Sequence, residues 1–259
     1  MRRAVPISIL LVLVFVASSC APRQKSTTVG PNVLIVITDD ERYGSEEATP
    51  RLREWFDEGA IFTRAYATTP HCCPSRVSIL TGKYVHNHGV PHPRKIRELD
   101  HDTTMQQQLL AAGYATGFIG KYINGWDPFR RPLGIERSTL GVGYERTPFV
   151  RDGVAVMAEY GPSFVFREGR TFVNEWERED EKPWLLTISP FAPHEPFLPE
   201  DSYSEVDYPW DGTPATDEED RTDKPRYVQR NRYTEGFGQS KRESQFRTLR
   251  TIDDEFMET

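Results

Sequence analysis

Residues 32–37 read Asn-Val-Leu-Ile-Val-Ile, which after Asn32 is an unbroken apolar and largely β-branched run. A strand with one wet face alternates polar and apolar residues. A run without polar positions suits a strand buried on both faces, as in a parallel sheet covered by helices on each side. It ends in Thr38-Asp39-Asp40, which puts two carboxylates at the strand's C-terminal end, where open α/β sheets take their ligands. Thr49-Pro50 then opens a helix, threonine as N-cap and proline in the first turn. Leu52, Trp55 and Phe56 recur at helical spacing, and Gly59 ends it. Residues 60–67 read as the next strand. Further on, 103–112 are helical up to Gly113, and 114–119 form a strand running into Gly120-Lys121. Residues 170–178 are helical, and Pro183 leads into a strand over 184–189. This alternation predicts an α/β fold with a largely parallel central sheet flanked by helices. The last stretch, 239–259, reads as a charged surface helix with Phe246, Leu249, Ile252 and Phe256 at helical spacing.

Composition narrows the function classes. Aromatic residues at 12% argue against wholesale disorder. With 32 basic and 39 acidic residues, the chain has no basic excess to neutralise phosphates, so a nucleic-acid partner is disfavoured. Three cysteines are too few for a disulfide-built scaffold. Ten acidic and two basic residues fall between Glu200 and Lys224, a segment read as a solvated surface loop. Residues 1–19 have two arginines, an apolar run and small residues before a break, the layout of a secretory signal. That run is too short to span a bilayer comfortably. Cys20 follows Val16-Ala17-Ser18-Ser19, similar to a bacterial lipoprotein cleavage site. The expected product is a cell-envelope lipoprotein lipidated on Cys20, or a secreted or periplasmic protein, with a polar tether over 21–30 and one folded unit over 31–259. Membrane contact is expected only through that lipid.

Cys72 and Cys73 are adjacent, and adjacent cysteines bridge each other only with strained geometry. Another purpose is needed. In His71-Cys72-Cys73-Pro74-Ser75-Arg76, Pro74 can open a helix, placing Cys72 just ahead of a helix N-terminus. Free amides there favour an anion or a nucleophile, and Arg76 in the first turn can share that anion. Together with Asp39 and Asp40 this suggests metal-assisted attack on an oxyanion ester. A reactive thiol and a structural pair are the alternatives.

Cys72-Cys73-Pro74-Ser75-Arg76, continued by Leu80-Thr81-Gly82-Lys83, resembles the C-x-P-S-R signature of the sulfatase family. Asp39-Asp40, Gly120-Lys121 and Ala192-Pro193-His194-Glu195-Pro196 match further family motifs in the family order. The double cysteine, Tyr84-x-His86-Asn87-His88 and Gly120-Lys121-Tyr122 are most similar to sulfatases acting on N-acetylglucosamine 6-sulfate and heparan-type glycans. The resemblance implies an alkaline-phosphatase-like fold and a sulfated sugar or glycan as substrate. It also implies a formylglycine-generating enzyme as partner, which converts Cys72 to Cα-formylglycine. One hydroxyl of the hydrated aldehyde attacks sulfur; the other then loses a proton, ejecting sulfate. It further implies one calcium ion held by Asp39, Asp40 and residue 72, lowering the hydroxyl pKa and clamping sulfate oxygens. Arg76 would stabilise the developing charge, Lys121 would hold sulfate oxygens, and His194 would protonate the leaving oxygen. His86, His88 and His92 are expected to be structural or surface residues. Ile123 stands where the family often has a histidine, and Asn124 is the candidate to supply a polar contact instead.

The family completes its calcium site with an Asp-Asn pair at the end of a later strand, and no Asp-Asn dipeptide occurs in these 259 residues. Asp253 and Asp254 are expected on a helix surface rather than as substitute ligands. The chain is therefore expected to be a fragment or a degenerate member. The alternative functions are a catalytically inactive remnant or sulfoglycan-binding lipoprotein, and a phosphoryl or phosphonate ester hydrolase of the same superfamily.

Overall fold

The structure, a computed structural model, describes residues 30–213, 218–230 and 235–259. The expected export signal at 1–19, Cys20 and the tether up to residue 29 lie outside the described residues. Among the described residues there are six strands: β1 (Val33–Val36), β2 (Ala115–Gly120), β3 (Arg137–Leu140), β4 (Glu145–Arg151), β5 (Val154–Tyr160) and β6 (Trp184–Ser189). They form one sheet in the order β1-β6-β2-β3-β4-β5. The first four are parallel, with Val33 opposite Leu185, Thr116 opposite Leu185 and Gly117 opposite Arg137. β4 and β5 add antiparallel hairpins at the far edge. The helices are α1 (Pro50–Phe56), α2 (Cys72–Thr81), α3 (Val85–His88), α4 (Met105–Ala111), α5 (Gly161–Glu179), α6 (Arg226–Arg230) and α7 (Glu235–Met257). The expected α/β architecture is observed.

Both central strands, β2 and β6, are buried along their whole length, so each face of the sheet has its own core. On one face Ile119, Leu186 and Ile188 meet Phe166, Phe172 and Trp176 of α5 and Phe246, Leu249 and Ile252 of α7. On the other, Phe118 and Leu140 meet Cys73, Val77 and Leu80 of α2.

Several readings change. Residues 60–67 are irregular, with Phe62 82% and Tyr66 85% exposed. Strand-like composition there finds no neighbour to pair with among the described residues, and pairing and packing decide a strand more than propensity does. For the same reason β1, although wholly apolar, is only half-buried: it pairs with β6 on one side and has no partner on the other among the described residues. The hairpins over 137–160 were not expected. Their signal was present in Asp152-Gly153, both at positive φ (45° and 87°), the type of turn that joins two antiparallel strands. α5 starts nine residues earlier than expected, with Pro162 in its first turn.

The last change in the fold concerns α7. Beyond its apolar stripe it also buries Thr248, Thr251 and Asp253, so Asp253 is not the surface residue expected. Thr49 makes no side-chain cap on α1. Instead the amides of Arg51 and Leu52 donate to Asp253 Oδ2 (3.2 Å) and Oδ1 (2.8 Å) across the interface. Asp254 pairs with Arg51 at 2.9 Å and accepts from the Tyr203 hydroxyl. A carboxylate from α7 thus satisfies the free donors at the start of α1. Asp253→Ala should lower unfolding free energy by about 1–3 kcal/mol, since it removes a cap and leaves buried donors unpaired. Urea denaturation checks this.

Candidate active site

The six residues singled out from the sequence converge at the C-terminal ends of β1, β2 and β6. Asp39 follows β1 and is 3% exposed; its amide donates to the Ala192 carbonyl at 3.2 Å. Its Oδ1 lies 3.2 Å from Arg76 Nη2, and its Oδ2 accepts from Lys121 Nζ. Lys121 comes directly after Gly120, whose φ is +93° and where a Cβ would sit 2.0 Å from the Ser189 carbonyl oxygen. Only glycine permits that approach, and the turn aims Lys121 inward. Arg76 is buried and fastens the strand ends together. Its Nη1 donates to the Lys121 carbonyl (2.5 Å) and to Ser189 Oγ (2.6 Å), while Ser189 Oγ donates to the Ile37 carbonyl (3.1 Å).

α2 begins at Cys72 itself, with His71 as the residue before it, so Pro74 is the third helical residue rather than the opener. Cys72 therefore belongs to the turn that carries the unpaired amides. It is half-buried, whereas Cys73 is 2% exposed among Val77 and Leu80. Burial, with a smaller contribution from Cys72, pushes the Cys73 thiol up to about 11. Both are free thiols.

His194 lies in the loop after β6, with its ring stacked on Phe191 (4.5 Å between centroids) and its carbonyl accepting from the Tyr144 hydroxyl at 2.6 Å. Its Nδ1 is 2.6 Å from the Glu195 carbonyl oxygen. A carbonyl can only accept, so Nδ1 carries hydrogen and Nε2 is the nitrogen presented to the site. Nε2 lies 3.5 Å from Asp40 Oδ2. Ligand atoms of Asp40, Cys72 and His194 all fall within 4.8 Å of one another.

This differs from the expected metal set of Asp39, Asp40 and Cys72. Asp39 is occupied by Arg76 and Lys121, and His194 takes its place beside Asp40 and Cys72. The donor chemistry still suits a hard divalent cation, because both carboxylates stand at the end of β1 and offer oxygen ligands. His88 is structural, as expected: its Nδ1 accepts from the Val90 amide (3.1 Å), and its Nε2 lies 3.2 Å from Ser78 Oγ. Burial lowers its pKa. Sequence reasoning missed Ser189, Phe191 and Tyr144. Ser189 and Tyr144 carry no motif, and only their contacts reveal them.

Two buried cations share one buried carboxylate, so the buried cluster holds one surplus positive charge near the first turn of α2, with the exposed Asp40 as the next carboxylate beside Cys72. A fixed anion site with a helix N-terminus, a candidate nucleophile and a proton carrier is the outfit of an enzyme acting on anionic esters. The sulfatase family model matches residues 31–257, and the chain belongs to the sulfatase family. It is 35% identical over 190 residues to an extracellular sulfatase of Drosophila melanogaster, covering 64% of this chain and 17% of that protein. It is 29% identical over 209 residues to an N-acetylglucosamine-6-O-sulfatase of Bacteroides thetaiotaomicron, covering 75% and 36%. A structure solved with D-glucosamine-2-N,6-O-disulfate shares the fold (TM-score 0.67, 20% identity), covering 88% of this chain and 61% of that one. The chain thus spans well under half the length of these two curated relatives.

Proposed function

We propose that this chain is the N-terminal part of a sulfatase that removes sulfate from a sulfated sugar or glycan. The observation that carries the reading is the buried Arg76–Asp39–Lys121 cluster with its surplus positive charge beside Cys72. A sulfate ester carries one negative charge on equivalent oxygens, which Lys121 can meet on the open side while Asp39 holds it. Cys72, converted to formylglycine by a formylglycine-generating enzyme, would supply the attacking oxygen at the first turn of α2. Asp40 and residue 72, joined by Asp39 through the lone pairs that its contacts with Arg76 and Lys121 leave open, would hold a calcium ion, which when bound supplies charge to the sulfate oxygens and acidity to the nucleophile. Arg76 acts from below, locking the strand ends so that Asp39 and Lys121 keep their positions. His194, with Nδ1 tied to Glu195, delivers its proton to the leaving oxygen from Nε2.

The site of action would lie outside the cytoplasm. Two relatives are named as extracellular sulfatases, and residues 1–19 have a secretory layout. The test is sulfate release from N-acetylglucosamine 6-sulfate by the full-length protein carrying formylglycine, with a matched phosphate ester alongside. Sulfate release that chelation stops and calcium restores is expected. Faster phosphate release, or none of either, would reject the reading.

A further inference from the structure

Cys72 and Arg76 ride on α2, and Asp39 and Lys121 are locked in the buried cluster. Asp40 and His194 lie on loops, and one helix reaches both loops. Along α7, Phe246, Leu249 and Ile252 enter the core. Beside that apolar stripe, Lys241, Gln245 and Thr248 follow at i, i+4 and i+7, which puts them on one face of the helix. Gln245 Nε2 donates to the Asp40 carbonyl at 2.8 Å. Lys241 Nζ pairs with the carboxylate of Glu195, the residue after His194, and lies 5.1 Å from the Phe197 ring centroid. Thr248 is fully buried and adjoins Tyr144, whose hydroxyl donates to the His194 carbonyl.

The Asp40 contact matters because of the backbone it holds. Asp40 is exposed and has φ +62°. The left-handed region is uphill for a residue with a Cβ, and a chain stays there only where its surroundings fix it. Burial does not fix an exposed residue. Among the described residues, Gln245 is the one side chain that hydrogen-bonds the Asp40 backbone. Relaxation to negative φ would re-aim the carboxylate, which now lies within 4.8 Å of the Cys72 sulfur and a His194 ring nitrogen.

Resting on the sulfatase reading, we propose that the polar face of α7 sets the spacing of Asp40 and His194. Gln245 is the positioning residue for Asp40, and Lys241 is the positioning residue for His194, acting through Glu195. One serves the carboxylate that the metal needs and the other the loop that presents the proton donor. Their loss should therefore register in different measurements.

The test uses the full-length, formylglycine-bearing protein. Gln245→Met keeps the side-chain length and removes the donor. It should weaken calcium binding about 10- to 100-fold by calorimetry, the range for removing a group behind a metal ligand. Gln245→Arg keeps an N–H donor and should recover most of that affinity. A merely structural Gln245 would change the melting temperature and leave calcium affinity alone. The Lys241 pair is exposed, so Lys241→Met should barely move the melting temperature. It should keep calcium affinity within about twofold and lower kcat for N-acetylglucosamine 6-sulfate about three- to tenfold. Turnover of 4-nitrophenyl sulfate, whose leaving group departs as a stable anion without a proton, should stay within about twofold. Parent-like calcium affinity in Gln245→Met, or affinity equally weak in Gln245→Met and Gln245→Arg, overturns the Gln245 assignment. Equal loss on both esters, or loss on neither, overturns that of Lys241. Both failures leave the sulfatase reading intact. A parent that hydrolyses neither ester rejects that reading instead, and calorimetry then decides the inference by itself. Affinity lost in Gln245→Met and recovered in Gln245→Arg supports it; any other result, absence of calcium binding included, overturns it.

Discussion

Cys72→Ala should abolish sulfate release and leave the protein folded, whereas Cys73→Ala should keep turnover and lower stability. The two thiols are neighbours in sequence and opposites in environment. Cys72 opens onto Asp40 and His194 at the first turn of α2. Cys73 faces the core with Val77 and Leu80, and burial keeps its thiol protonated far above neutral pH. A hydrated aldehyde at 73 would bury two hydroxyls against aliphatic carbon, which is costly without partners. At 72 the same hydroxyls reach the Asp40 carboxylate and the His194 imidazole. Loss of the nucleophile should cut turnover by on the order of 10^4-fold or more. Loss of the Cys73 sulfur should cost about 1–2 kcal/mol through the small cavity left behind. Tryptic mass spectrometry of protein co-expressed with a formylglycine-generating enzyme should find the aldehyde at 72 alone. An aldehyde at 73, or sulfate turnover by Cys72→Ala, would overturn the assignment.

What could be read from the sequence follows from where the determinants of each feature lie. β6 was legible to the residue, because Trp184–Ser189 is buried on both faces and its apolar run is bounded by Pro183. Asp39, Cys72, Lys121 and His194 were legible because each sits in a short motif at a strand or helix end, and the fold gathers those ends. The Arg76 contacts were not. That side chain binds a carbonyl after β2 and a hydroxyl closing β6, 45 and 113 residues away, and no local pattern encodes such distances. The same holds for Asp253. Its place on a helix with a clear apolar stripe suggested solvent, yet its two oxygens answer amides 201 and 202 residues earlier in the chain. Residues 60–67 show the converse error: local composition suits a strand, but a strand exists only beside another. The His194 substitution for Asp39 in the group beside Cys72 has the same origin, since Asp39 and Asp40 are adjacent in sequence but diverge at a left-handed turn, with Asp40 at φ +62°.

That divergence makes Asp39→Asn and Asp40→Asn separable. Asp39 is buried and is the only carboxylate on Arg76 and Lys121 in the described ion pairs. Its neutralisation leaves two buried cations without a counter-charge, which should cost about 3–5 kcal/mol. Asp40 is exposed, and asparagine tolerates its positive φ as well as aspartate does. Its carbonyl contact with Gln245 Nε2 (2.8 Å) belongs to the backbone and survives the change. Asp40→Asn should therefore melt within about 0.5 kcal/mol of the parent, yet lose at least about tenfold in calcium affinity by calorimetry. Calcium should raise the parent's melting temperature and leave that of Asp40→Asn nearly unmoved, because only a ligand bound to the folded state stabilises it. Adding Lys121→Met to Asp39→Asn removes one of the stranded cations, so the double variant should be more stable than Asp39→Asn alone. Such recovery separates a charge imbalance from a simple packing defect, in which two truncations would add. An Asp39→Asn protein as stable as the parent would show that the buried cluster is not held by charge. Unchanged calcium affinity in Asp40→Asn would remove the exposed carboxylate from the metal site.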